Sequence, residues 1–331
     1  MKPRIGITMG DYNGVGPEVT LKALRRPEIW KTCNPVLIGS LDVYEWYARR
    51  FAMKFVFREV EDIPKHFRRY DLPVVPIRKF HRPVIRPGKN SKEAGCFSGE
   101  SLAKAVELCM GHRLDAVVTA PVSKSAMRSA GYPYPGQTEM LAELSGVSHP
   151  VMMLVAGEFR VGLATIHVPL CDVSRRVSTR MLVAKMSVVH QSLKKDFAKR
   201  SPRMAMLALN PHAGENGEIG HEEKRILLPA IRLLRSKGMH VQGPFPADGF
   251  FGMHAYKNYD VVFAMYHDQG LIPLKMVGFD RGVNYTAGLP FVRTSPDHGT
   301  AFDIAGQGRA NSRSMVEAIQ LAATIWKNRR S

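Results

Sequence analysis

The chain has 331 residues, 45% of them hydrophobic, and a formal net charge of +18. That length allows two domains or one large one, and the apolar fraction is ordinary for a globular protein. No run approaches the ~18 apolar residues of a membrane span. The four cysteines, Cys33, Cys96, Cys109 and Cys171, contain no C-x-x-C pair, which excludes a zinc ribbon or a thioredoxin-like motif.

The N-terminal MKPRIGITMG lacks the apolar core and cleavage site of a signal peptide, so a cytoplasmic location with reduced thiols is expected. Arg4 to Met9 reads as a first strand. The following GDYNGVGPEV places Gly10, Gly14 and Gly16 before Pro17, which suits the first turn of a helix. The spacing is G-x-x-x-G-x-G and not the G-x-G-x-x-G of a dinucleotide fold. Such a turn either cradles an anion on backbone N–H groups or is a tight strand-to-helix connection. Pro35 to Gly39 is a second strand, and the proline-rich Pro73 to Pro87 is expected as linker or edge structure.

Ser98 to Met110 has Leu102, Ala105, Val106 and Cys109 at helical spacing, and Asp115 to Ala120 follows as a strand. Strands alternating with helices predict a parallel sheet covered by helices. The turn-rich Gly131 to Glu139 breaks the pattern, and a domain boundary is expected there. Beyond it come strands at Val151–Val155 and Arg160–Ile166, a helix around Met181–Leu193 and a strand at Met204–Leu209. Glu223 to Leu234 forms an amphipathic helix closed by Gly238, and Val261 to Met265 a buried strand. A final helix near Ser314 is expected to start with a Ser314/Glu317 capping box. The positive charge concentrates in Lys65–Lys92 and Arg175–Arg203. Neither stretch has the aromatic spacing of an RNA-binding sheet, and the prolines of the first exclude a groove-reading helix. Nucleic-acid binding is therefore the minority reading, and a solvated basic surface the majority one.

His167, His212 and His267 each stand at, or within a few residues of, the end of an apolar strand. Ligands of open α/β sheets bind beyond the carboxyl ends of the strands. Parallel neighbouring strands would bring the three imidazoles to one edge, where they suit a divalent metal such as zinc, cobalt or nickel. From the pattern alone, a metal site and loop histidines held by hydrogen bonds stay open as alternatives. Asp268 adjoins His267, and Asp248 lies in GPFPADGF; either could orient a ligand histidine or accept a proton. Lys275 and Arg293 suit an anionic substrate.

The segments ITMGDYNGVGPE, VVTAPVSK, GQTE, HVPL, NPHAGENGEIGHEE, GPFPAD, AMYHDQGLIPLK and GVNYTAGLPFVRTSPDHGTAFDIAGQGRAN span nearly the whole chain in one order. By these segments the sequence resembles the PdxA family, the 4-hydroxythreonine-4-phosphate dehydrogenases of pyridoxal phosphate (vitamin B6) biosynthesis. DHGTAFDIAGQGRAN is also similar to the segment that lines the adenine pocket of isocitrate and isopropylmalate dehydrogenases. The resemblance implies two α/β/α domains with largely parallel sheets and an active site in the interdomain cleft. On it we expect one domain over 1–130 with 305–331, and a central one over 131–304 that carries the metal ligands and the dimer interface.

The implied reaction is a metal-dependent, NAD(P)-linked oxidation of a phosphorylated 3-hydroxy-2-amino acid, followed by decarboxylation. By matching motif, His167, His212 and His267 would bind the metal (zinc first, magnesium or cobalt as alternatives). Gln137, Thr138, Lys275, Asn284 and Arg293 would bind substrate, and Asp248, Asp268 and Lys275 would carry the chemistry. The family builds this site across a homodimer. Two positions depart from its pattern: Gln137 stands where histidine is common, and Tyr12 where proline is. Glutamine cannot titrate near neutrality, which removes a proton-transfer role there and keeps substrates such as threonate or erythronate phosphates, or a cyclic diol carboxylate, open.

Overall fold

The computed structural model describes residues 1–78 and 82–331; Lys79, Phe80 and His81, inside the basic Lys65–Lys92 segment, lie outside the described residues. The chain forms two compact units, 1–148 with 289–330, and 149–288.

The first unit contains β1 (Arg4–Thr8), β2 (Asn34–Gly39), β3 (Val56–Glu59), β4 (Asp71–Pro76), β5 (Ala116–Val118) and β12 (Val292–Pro296). Their order is β3-β4-β2-β1-β5-β12, and every pairing is parallel. β-branched and aliphatic side chains fill both faces: Ile5, Ile7, Val36, Leu37 and Ile38 are wholly buried. Each such burial contributes roughly 1.5–3 kcal/mol. Pro73 does not confine its segment to linker or edge. β4 pairs with β2 on one side and β3 on the other, because Leu72, Val74 and Val75 are buried in the core. The helix over Lys92–Met110 begins six residues earlier than its apolar spacing indicates, since the Ser91 hydroxyl caps it by accepting from the Ala94 N–H. The last helix, Arg313–Asn328, has Ser312 and not Ser314 at its N-cap, and the Ser314 hydroxyl accepts from the Asp297 N–H.

The second unit contains β6 (Val151–Ala156), β7 (Phe159–Leu163), β8 (Arg203–Leu207), β9 (His240–Phe245), β10 (Val261–Ala264) and β11 (Val283–Ala287). The order is β11-β6-β7-β10-β8-β9. β7, β10, β8 and β9 are parallel, whereas β6 runs antiparallel to both of its neighbours because Gly157 turns it tightly into β7. β10 is buried along its whole length, as its unbroken apolar run predicts.

The units divide at 148/149 and 288/289, where the sequence placed the boundaries at 130/131 and 304/305. Two packing facts move them. Met140 and Leu141, on the helix Gln137–Leu144, join the core of the first unit around Leu102 and Val117, and β12 pairs with β5 there. Turn-rich composition marks a break in periodicity but not the side on which the next helix packs.

Candidate active site

Three parallel neighbours, β7, β10 and β8, deliver their carboxyl ends to one edge of the second unit. His267 follows β10 after two intervening residues, His167 follows β7 after three, and His212 follows β8 after four. The strand ends are tied together. The Thr165 hydroxyl donates to the Met265 carbonyl at 2.7 Å. The Gln269 amide accepts from the Met265 N–H at 2.7 Å and donates to the Ala208 carbonyl at 2.6 Å, joining the ends of β10 and β8. Neither residue is recognisable in the sequence as a site residue, because each acts on backbone about 60 to 100 positions away.

The His167 and His267 rings lie 6.0 Å apart between centroids and are tilted by 37°. Asp268 Oδ1 is 2.6 Å from His267 Nδ1, which orients the ring and leaves Nε2 as the nitrogen turned to a ligand. A cavity of about 340 Å³ is lined by these three side chains with Ile166, Leu170 and Tyr266.

His212 sits on a different support. His212, Ala213, Gly214, Glu215 and Asn216 all have left-handed φ, from 40° to 80°. For residues other than glycine this costs roughly 1–2 kcal/mol each. The buried Glu223 carboxylate offsets it, accepting from the Leu209 and Asn210 N–H groups at 2.9 and 2.8 Å and from Asn210 Nδ2 at 2.9 Å. A Cβ at Gly214 would meet Glu223 Oε2 at 2.7 Å, so that position requires glycine for space as well as for φ. Glu222 receives hydrogen bonds from the Ser174 hydroxyl and from Asn210 Nδ2, which hold its carboxyl down to about 2.

For a divalent metal the donors are chemically suitable, but among the described residues of one chain no group of three His, Cys, Asp or Glu side chains is placed to hold an ion. Of the three imidazoles, those of His167 and His267 are in ring contact. Asp248 is exposed in the first turn of the helix Ala247–Gly252, beyond the end of β9 and therefore on the same edge. Lys275 is exposed on the helix His267–Gly278, about 12 Å along its axis from His267. Asn284 is level with Leu154 and, through it, Val161 in mid-sheet, so the register does not carry it to the histidine edge.

The remaining expected residues belong to the first unit. Arg293, on β12, is 2% exposed, and burial lowers its guanidinium to about 10. Its Nε and Nη2 donate to the Thr119 hydroxyl at 3.0 and 2.8 Å, and Nη2 also donates to Gln137 Oε1 at 2.9 Å. Gln137 Nε2 donates to the Ala120 carbonyl at 3.0 Å. In VVTAPVSK, Thr119 therefore follows β5 with a hydroxyl aimed at a buried cation. Thr138 is buried in the first turn of its helix.

The glycine-rich turn is a packing device. A Cβ at Gly10 would meet the Pro121 carbonyl at 2.4 Å, and one at Gly14 the Thr300 carbonyl at 2.8 Å. Tyr12, at the departure from proline, is fully buried edge-on against Phe97, and its hydroxyl donates to Glu93 at 2.9 Å. Glu18 is wholly buried and accepts from the Gly308 and Ala310 N–H groups at 3.3 and 2.9 Å, while the Lys22 ammonium donates to Glu18 and to the Gly308 and Ala310 carbonyls. The turn therefore anchors the AGQGRAN segment, a link between residues about 290 positions apart that spacing cannot reveal. Asp11 is also wholly buried. One carboxylate oxygen accepts from the Asn13 N–H, the other has no partner among the described residues, and burial raises the group to about 6.

A family model described as "Pyridoxal phosphate biosynthetic protein PdxA" matches residues 31–322. A 4-hydroxythreonine-4-phosphate dehydrogenase of Prosthecochloris aestuarii is 45% identical over 97% of this chain and 97% of its own length. A D-threonate 4-phosphate dehydrogenase of Cupriavidus necator is 40% identical over 99% of this chain and 98% of its own. The crystal structure of a 4-hydroxythreonine-4-phosphate dehydrogenase from Klebsiella pneumoniae is 36% identical, with a TM-score of 0.87 over 98% of this chain and 100% of that one.

Proposed function

This chain belongs to the PdxA family, and from that premise we propose that it oxidises 4-phosphohydroxy-L-threonine with NAD(P) as hydride acceptor. The product is a 3-keto acid that loses its carboxylate to give 3-amino-2-oxopropyl phosphate, in vitamin B6 biosynthesis. The observation that carries the reading is the sheet edge where His167 and the Asp268-oriented His267 meet over a cavity, in a chain related to such dehydrogenases along nearly its full length.

His167, His212 and His267 are the metal donors in this reading, with zinc the first candidate and magnesium or cobalt the alternatives. Held by these residues, a divalent ion would supply Lewis acidity toward the substrate's C3 hydroxyl. In this reading the set is completed across a homodimer, which is consistent with no group of three donor side chains being placed to hold an ion among the described residues of one chain. The helix that begins at His267 supports this: Ile272, Met276 and Val277, with Phe279 just beyond, are 50–83% exposed. Asp268 or Asp248 accepts the hydroxyl proton, directly or through water. Lys275 and Arg293 hold anionic groups, with Thr138 and Asn284 as polar contacts, and the phosphate keeps the reacting carbon in register. A cytoplasmic location belongs to the same reading. Among the described residues no helix is long and apolar enough to cross a membrane.

A second substrate reading, threonate or erythronate phosphate, is kept open by Gln137 and supported by the D-threonate 4-phosphate dehydrogenase relative. NADH and NADPH formation measured on both substrate groups, with metal analysis of the purified protein, separates them. Turnover of 4-phosphohydroxythreonine alone supports the first reading, and turnover of threonate phosphate alone replaces it. His212→Ala is expected to lose bound metal and all detectable NADH production; full activity of a metal-depleted His212→Ala protein would sink the scheme.

A further inference from the structure

We propose that Gln137 is a positioning residue that sets the orientation of the Arg293 guanidinium. The proposal rests on the reading of Arg293 as an anion anchor and deepens it. A guanidinium is a rigid planar fork, so three N–H directions determine its plane and its rotation within that plane. Thr119 Oγ1 takes Nε–H and one N–H of Nη2, and Gln137 Oε1 takes the other. The Gln137 amide is in turn fixed at its nitrogen by the Ala120 carbonyl. A side chain from the start of one helix therefore joins the end of β5 to β12, and both of its polar atoms are committed within the protein.

The chemistry of this link calls for one acceptor and one donor without charge. Glutamine supplies both. Glutamate would oppose an oxygen to the Ala120 carbonyl. Histidine supplies both only while neutral; once protonated it has two donors, one of them aimed at a cation whose charge burial already disfavours. The charged groups around the link are Arg293 on β12, Glu139 on the helix of Gln137, whose field favours the Arg293 charge, and Asp11, whose N–H donates to the carbonyl of Pro121 next to Ala120. Glutamine thus adds no titrating group of its own to the link that presents Arg293.

The test compares wild type, Gln137→Ala and Gln137→His in steady-state kinetics with the turned-over phosphorylated substrate, from about pH 6 to pH 9. Gln137→Ala is expected to raise KM about tenfold at every pH and to change kcat less than about threefold, because the loss falls on substrate binding. Gln137→His is expected to match wild-type KM above about pH 7.5 and to lose affinity below the imidazole pKa. A fall in kcat at unchanged KM in Gln137→Ala, or a wild-type pH profile in Gln137→His, overturns the proposal. A readout free of substrate separates it from the choice of reaction: the Nε–Hε resonance of Arg293, assigned through its loss in Arg293→Lys. That resonance should shift and exchange faster in Gln137→Ala, and should titrate with the imidazole in Gln137→His. An Arg293 resonance unmoved in both variants overturns the proposal even if the substrate assignment stands; failure of the wild-type protein to turn over any of the substrates, with the resonance shifting, overturns only the substrate assignment.

Discussion

Among single residues, Asp11 carries a testable electrostatic consequence. Its folded-state pKa of about 6 lies above the ordinary carboxyl value, since burial disfavours the charge more than the Asn13 and Gly14 N–H groups favour it. Between the unfolded and folded values the native state binds more protons than the unfolded chain, so this group's contribution to stability is present at low pH and is lost as pH rises to about 6. Asp11→Asn keeps the acceptor for the Asn13 N–H and removes the buried charge. It is expected to stabilise the protein by on the order of 2 kcal/mol above pH 7 and by little near pH 4, measured by urea unfolding at both. Of the individual site residues, His267 and Asp268 were legible as a pair from adjacency at a strand end. Thr119 was not, because a lone Thr means nothing until the group it meets, here the Arg293 guanidinium, is known; Gln269 was visible as one of the polar residues ending the β10 run, but its backbone partners were not.

Among the elements, the left-handed turn from His212 to Asn216 is the part of the second unit most dependent on one side chain. Glu223 accepts three hydrogen bonds from the chain that leads into it. Glu223→Gln turns an amide donor against Asn210 Nδ2 or against the backbone N–H groups. The expected cost is roughly 1–3 kcal/mol in chemical denaturation, with faster amide exchange confined at first to residues 209–217. Unchanged protection there would show that the turn holds itself. The strands themselves were readable from apolar runs: β1, β2, β5, β6, β8 and β10 fall within a few residues of their expected positions. β4 was not, since its prolines argue for an edge and only the burial of Leu72, Val74 and Val75 places it inside. The start of the last helix was read two residues late for a similar reason: Ser312 is its N-cap, and Ser314 meets a tertiary partner, the Asp297 N–H.

For the molecule as a whole, no group of three donor side chains placed to hold an ion is present among the described residues of one chain, and the helix that starts with His267 exposes apolar side chains. Contiguous exposed apolar surface of this kind marks an interaction face. Met276, 83% exposed, is two and a half turns from His267, far enough to test association without touching a donor. In the proposed homodimer, Met276→Glu is expected to shift the protein toward monomer in analytical ultracentrifugation and to lose the proposed metal and activity in parallel. A monomeric Met276→Glu protein that retains metal would place all three donors in one copy. The charge of +18 is a separate property of the surface, and it bears on what polyanions the protein attracts, not on its fold.

Apolar periodicity and long ordered motifs are local and survive without coordinates, so the fold class, most strands of both sheets and the family could be read from the chain alone. The three histidines could be marked in the same way, since strand ends are visible in one dimension. Folding in three dimensions was needed to establish which of them meet, how β12 pairs with β5 across about 170 residues, and that Gln137 and Thr119 commit their polar atoms to Arg293. Hydrogen bonds and burial depend on proximity in space, and two side chains over 150 positions apart leave no trace of their contact in composition, spacing or propensity.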